Sequence, residues 1–262
     1  MAIQHETNEY QIPRGRVLLD PEDPNTGLLT GEAEFGNCPG FTISIESEKA
    51  EHYSSETGLK QKDKTVTVQV NRTAKITCDN VSVDNLARFL SGTVESVTQE
   101  VGTVTDEAIT VLKGRQYQLG RSPTNPAGVR NISAVVVTDT AGTTTHVVNV
   151  DYTLDLELGR LQILAAGAIP DAASIKVDYT RPAASWKRIK TGAVTEIAGA
   201  IRVLSDNASG ENRDFYMPKV NLTPSGELPV IADGTDFVTM EFDCEILKPS
   251  NAEALYVDGR PA

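Results

Sequence analysis

One run of residues limits the folds open to this chain. From position 65 the sequence reads TVTVQVNRTAKITC and alternates with period 2, the spacing of a strand whose two faces meet different surroundings. Val66, Val68, Val70, Ala74, Ile76 and Cys78 fall on one face; Thr65, Thr67, Gln69, Asn71, Thr73, Lys75 and Thr77 fall on the other. Arg72 is the single break in the apolar set, and a bulge or a strand end accounts for it. A strand so much longer than the usual five or six residues or so suits a large sheet. A short helix is predicted directly after it. Ser82 is a good N-cap, Asp84 sits in the first turn where the dipole favours an anion, and Gly92 fits the left-handed position after the last turn. Val81 is placed to staple onto Leu86, and Leu86, Phe89 and Leu90 make one apolar stripe for packing on the sheet.

The flanking sequence extends this plan. Residues 1 to 10 are expected to be a terminal arm. Strands are predicted at 14–19 and 28–35, around the turn-rich DPEDPNTG. Phe41, Ile43 and Ile45 alternate with polar residues, so this segment is expected to pair with the long strand. Between the two lies 47–64, rich in Glu, Lys and Ser, with Gly58 as its pivot. So long a charged loop is either mobile and solvated or functional, as an arm that docks on a neighbour. Near the C-terminus Val238, Met240, Phe242, Cys244 and Ile246 alternate with Thr239, Glu241, Asp243 and Glu245. Pro218 places the 215–223 strand at an edge or a bulge, and Asp233-Gly234 reads as a hairpin turn.

Residues 102–182 have a different texture. Short strands are predicted at 134–138, 143–150, 152–158, 161–164 and 174–179, separated by turn signals such as DTAG and Gly159-Arg160. This stretch carries 7 Lys and Arg against 8 Asp and Glu, whereas the whole chain has a net charge of −12. It reads as an inserted, β-rich, Ig-like domain, with 1–101 and 183–262 forming one discontinuous domain around it.

A search for chemistry leaves little. Cys38, Cys78 and Cys244 are odd in number and match no metal spacing; Cys78 and Cys244 sit on apolar strand faces, as buried small hydrophobes do. His5, His52 and His146 are scattered and hold no zinc-binding spacing. There is no nucleophile elbow, P-loop or dinucleotide-binding pattern, so neither an enzyme nor a cofactor is expected. No apolar run is long enough to cross a membrane as a helix. The polar MAIQHETNEY start lacks a signal peptide's apolar core, so the chain is expected to be kept or assembled inside a cell. The acidic balance disfavours ordinary nucleic-acid binding, yet suits nucleic acid passing by without adhering. Glu241, Asp243 and Glu245 stand out, three carboxylates within about 14 Å on one strand face. They form a solvated face paired to Lys or Arg on the next strand, a negatively charged lining, or a hydrolytic carboxylate pair.

The wording HYSSE, TVTVQVNRT and SVDNLARFLSG, with GRVLLDP and GEAEFGNCPGFTISIESE before it, resembles the major tail tube protein of long-tailed (siphovirus-type) bacteriophages. The resemblance implies a mainly β, antiparallel sandwich or barrel fold with one short packed helix. It implies hexameric rings of this chain stacked into a tail tube, a virion component assembled in the host cytoplasm. Tape measure, tail terminator and distal tail proteins would be partners, and double-stranded DNA would pass through the lumen. Glu46, Glu241, Asp243 and Glu245 become candidates for the acidic lining, because the polar face of 65–77 is nearly uncharged. Glu48, Glu51, His52, Tyr53, Glu56, Lys60, Lys62 and Lys64 become candidates for the inter-subunit arm, with the insertion on the tube exterior. The competing class is a β-rich surface module that binds carbohydrate, suggested by the hairpin-rich insertion.

Overall fold

The computed structural model describes residues 10–56, 58–192, 194 and 196–260. The expected N-terminal arm, His5 included, lies outside these residues apart from Tyr10. In chain order the elements are β1 (Gly15–Pro21), β2 (Ala33–Glu34), β3 (Gly40–Ser54), β4 (Gln61–Cys78), α1 (Val83–Phe89) and β5 (Gly92–Gln99). Then come β6 (Gly102–Val111), β7 (Gln116–Gln118), β8 (Ser133–Asp139), β9 (Tyr152–Asp155), β10 (Arg160–Ile163), β11 (Ala173–Arg181) and β12 (Ala184–Thr191). The chain ends with β13 (Ile197–Ser205), β14 (Arg213–Ser225), β15 (Met240–Ile246) and β16 (Tyr256–Gly259). The fold is mainly β, antiparallel, with a single short helix among the described residues and no closed barrel.

The chain divides into two compact units, residues 1–94 with 189–262, and residues 95–188. The expected insertion limits, 102 and 182, fall inside the second unit. The composition changes there, but the chain is already paired beyond them: β5 and β12 form their own two-stranded sheet. Ser96 meets Lys187 at 2.9 Å and Gln99 donates to the Pro182 carbonyl at 2.9 Å, so these strands run in opposite directions.

In the larger unit one sheet runs in the order β2-β1-β13-β14-β15-β4-β3, with β16 added on β14. Its core is the apolar face the alternation predicts. Ala74, Ile76, Cys78, Phe242, Cys244 and Leu222 are buried on it. Phe242 is the pivot, with edge-on contacts to Phe35 at 5.6 Å and Phe89 at 5.9 Å between ring centres. Pro218 sits at a register shift between β13 and β14, the bulge that its missing N–H allows. The N-terminal hairpin is present, but its second strand shrinks to β2.

Three expectations about the helix need correction. Its cap is Ser82, which accepts from the Asn85 amide at 3.1 Å, as predicted. The left-handed residue after the last turn, however, is Ser91 (φ 49), not Gly92. Gly92 opens β5, where a Cβ would stand 2.7 Å from the Lys190 carbonyl oxygen, so it serves close strand approach instead. Val81 stays exposed, and so does Leu90. The helix buries Asn85 and Ala87, with Phe89 packed against the core. Asn85 is 1% exposed. Its amide nitrogen donates to the carbonyls of Phe35 at 2.6 Å and Asn80 at 2.9 Å, and its oxygen accepts from Arg88 at 2.6 Å. One side chain thus ties the helix to two loop carbonyls that have no strand partner.

The smaller unit holds two three-stranded antiparallel sheets, β7-β10-β9 and β6-β11-β8. They share a core that includes Val111, Leu161, Ile163, Ile175, Val177 and Tyr179. The strand predicted at 143–150 does not form. The Asp139 carboxylate accepts from the backbone of Thr143 at 2.8 Å and of Thr144 at 3.2 Å, which holds the chain in a turn. These bonds, Thr144 foremost, lower its pKa to about 2.

Replacing Asn85 with Ala removes one donor from each of these carbonyls: Asn80 keeps the Ser82 amide at 2.9 Å, and Phe35 keeps the Cys78 thiol at 3.3 Å. The expected cost is about 1–3 kcal/mol of stability, read as a shift in the denaturant midpoint, with Asn85→Asp no better because a carboxylate cannot donate.

Candidate functional site

The face of the large sheet opposite the core is a grid set by register. Ser225, Glu241, Thr77 and Gly40 form one row across β14, β15, β4 and β3. Thr223, Asp243, Lys75 and Thr42 form the next, and Asn221, Glu245, Thr73 and Ser44 the third. Glu46, opposite Asn71, continues the same face along β3. All four acidic lining candidates therefore share one face, among short hydroxyl and amide side chains. Asp243 and Glu245 are exposed and Glu241 is half-buried. Lys75 lies 2.7 Å from Glu241, and that carboxylate raises its pKa. One of the carboxylates is thus paired across the strand, and the grid keeps a net charge of −3 over Glu46, Glu241, Asp243, Glu245 and Lys75.

The segment expected as a loop is not one. β3 continues to Ser54 and β4 begins at Gln61, so 47–54 and 61–64 are paired strand and only a short turn remains. Glu48, Glu51, His52 and Tyr53 stand on β3, Lys62 and Lys64 on β4, and Glu56 and Lys60 in the turn. The resulting ribbon has no core. Ile45, Val66, Val68 and Val70 are exposed, so the valines predicted to pack with Ile76 do not. The reason is that β15 reaches only Thr73; past it, among the described residues, the ribbon has no third strand or helix to cover it. The expected irregularity at Arg72 is also absent, since Arg72 pairs regularly with Ile45. The register shifts come instead opposite Glu48/Lys49 and His52/Tyr53, where Val68 and Asp63 are the extra residues of β4. Because side chains alternate, the first shift hands the valines from one face to the other: Val70 opposes Ser47, and Val66 opposes Ala50.

Polar pairs hold the ribbon in place of a core. Glu51 binds Lys62, and it accepts from the Tyr53 hydroxyl at 2.7 Å. These two bonds, Lys62 first, lower the Glu51 pKa, while Glu51 raises those of Tyr53 and Lys62. His52, which sequence reasoning left without a partner, has its Nδ1 2.6 Å from the bulged Asp63.

Sequence reasoning also missed the connection between β14 and β15. Asp233-Gly234 is not a tight hairpin turn; residues 226–239 form a loop that holds Val230, Ile231 and Phe237 almost fully in solvent. The signal was present in LPVI, an apolar run with a proline and no alternation.

A family model described as "Protein of unknown function UCP028589" matches residues 10–254. Comparison with curated proteins gave no match.

Glu51→Gln removes the charge that both Lys62 and Tyr53 address. Amide hydrogen exchange in 47–54 and 61–68 should accelerate severalfold, with thermal unfolding of the rest of the unit unchanged.

Proposed function

The chain belongs to the family matched over residues 10–254, and we propose that it is a structural virion protein, the subunit of a long-tailed phage tail tube. In this reading the chain has no catalytic activity. Copies assemble in the host cytoplasm as hexameric rings that stack into a conduit for DNA, alongside tape measure, tail terminator and distal tail proteins. The insertion lies outside the tube.

The observation that carries this reading is the wet face of the large sheet. A sheet with one dry and one polar face, arranged around an axis, encloses a water-filled bore. Six copies of the grid put roughly −18 charges on each ring of that bore, a field that repels phosphate. Screening confines the repulsion to about 8 Å at physiological salt, so the wall prevents adhesion without blocking passage. The long uncovered ribbon supports the same reading, because exposed apolar strand surface is the mark of a contact yet to be made.

Electron microscopy of the purified chain, alone and with the other tail components, tests the proposal. Stacked rings are expected. Monomers alone at high concentration, with tail components present, would sink it. Replacing Glu241, Asp243 and Glu245 together with Lys should leave folding and ring formation intact while cutting infectivity at least tenfold; normal infectivity would remove these residues from the lining.

A further inference from the structure

Two thiols meet where β4 ends and β3 begins. Cys78 is the last residue of β4 and is fully buried; Cys38 lies just before β3, half-buried and packed against the same core. The regular ladder of β3 and β4 stops at Gly40 and Thr77, yet the two segments stay together beyond it. The Asp79 amide donates to the Asn37 carbonyl at 3.2 Å. That bond pairs Asn37 with Asp79, so their inner neighbours Cys38 and Cys78 stand opposite one another. Pro39, which has no N–H for a ladder, is the extra residue. A pair adjoining a hydrogen-bonded pair is of the closer kind, with Cα atoms about 4.5 Å apart. A disulfide spans about 4.4–6.8 Å between Cα atoms, so the backbone already holds the two residues within bonding range.

The surroundings activate the pair. The two side chains hydrogen-bond to each other, and this bond, the largest influence on both, lowers the Cys78 pKa to about 7 and raises that of Cys38. The pair therefore gives up its first proton near neutrality and holds the second. Cys78 Sγ also accepts from the buried Asn85 amide at 3.5 Å, and the Arg88 guanidinium favours its thiolate while Asp79 opposes it. Cys244 on the same dry face stands opposite Ala74 instead, and burial pushes its pKa up to about 12.

We propose that Cys38 and Cys78 are an oxidisable dithiol that closes to an intrachain disulfide when the chain meets a small-molecule disulfide. The step is an exchange. Cys38, the sulfur that solvent reaches, attacks one sulfur of the oxidant while the remaining shared proton sits on Cys78, and the first small thiolate leaves. Cys78 then gives its proton to water and attacks the Cys38 sulfur, expelling the second small thiolate. The two protein thiols lose two protons and two electrons, and the oxidant departs as two thiols. The Phe35 carbonyl, which loses the Cys78 thiol as a donor, keeps the Asn85 amide at 2.6 Å. The new bond encloses residues 39–77 and fastens the root of the uncovered ribbon to the core. It is a property of the single chain, whichever assembly that chain joins.

The parent chain is incubated with oxidised glutathione near neutral pH, alkylated in denaturant with N-ethylmaleimide, digested without reduction and analysed by mass spectrometry. The expected product is a peptide pair joined through Cys38 and Cys78, with Cys244 alkylated. The thermal midpoint should rise by several degrees and fall back on adding dithiothreitol, because the bond constrains the unfolded chain. Cys38→Ser, at the half-buried position, should abolish the rise and leave Cys78 alkylated; Cys244→Ala should keep both the linked pair and the rise. Recovery of Cys38 and Cys78 as separate alkylated peptides overturns the proposal, and so does a glutathione adduct that persists on Cys38. A rise of equal size in the Cys38→Ser chain overturns it as well.

Discussion

Everything in the larger unit depends on the separation of faces in β15 and its neighbours. Met240, Phe242, Cys244 and Ile246 are buried while Asp243 and Glu245 are exposed. Phe242 meets Phe35 and Phe89 edge-on, which places the helix on that side. A second layer on the other side would have to desolvate Lys75, Asp243 and Glu245, at a cost that its own burial would not offset. The sheet therefore stays one layer thick with a wet face, whatever is later built against it.

The ribbon follows from the same strands where the cover runs out. β3 is the sheet edge, and over Gly40–Ser54 its outer side has no partner strand among the described residues. Such an edge invites pairing with other chains. Here two register shifts and the Glu51–Lys62 and His52–Asp63 contacts fix the ribbon's shape and put charge along it. An isolated two-stranded ribbon is marginal in water; this one is anchored by the sheet it grows from.

The long strand, the capped helix, the dry face of β15 and the bulge at Pro218 were all legible, because each follows from local periodicity or a single residue's backbone chemistry. The shared face of Glu46, Glu241, Asp243 and Glu245 followed from the same periodicity once register was known. Three features were not legible. Val66, Val68 and Val70 look like core, yet their burial depends on how far β15 extends, which is a tertiary fact. The 47–64 segment has loop composition, but strand pairing overrides composition when a neighbour strand is already in place. Asn85 reads as an unremarkable helix residue, and its burial follows from two carbonyls at positions 35 and 80 that no periodicity connects to it.

The pairing of β5 with β12 has an architectural consequence. A chain that leaves and returns through adjacent, oppositely directed strands keeps its departure and arrival points side by side. Join those strands by a turn of about two residues, and the larger unit is left with an ordinary hairpin and no gap. The smaller unit, with a core of its own, is in that sense a cassette: none of its strands belongs to the sheet that carries the wet face.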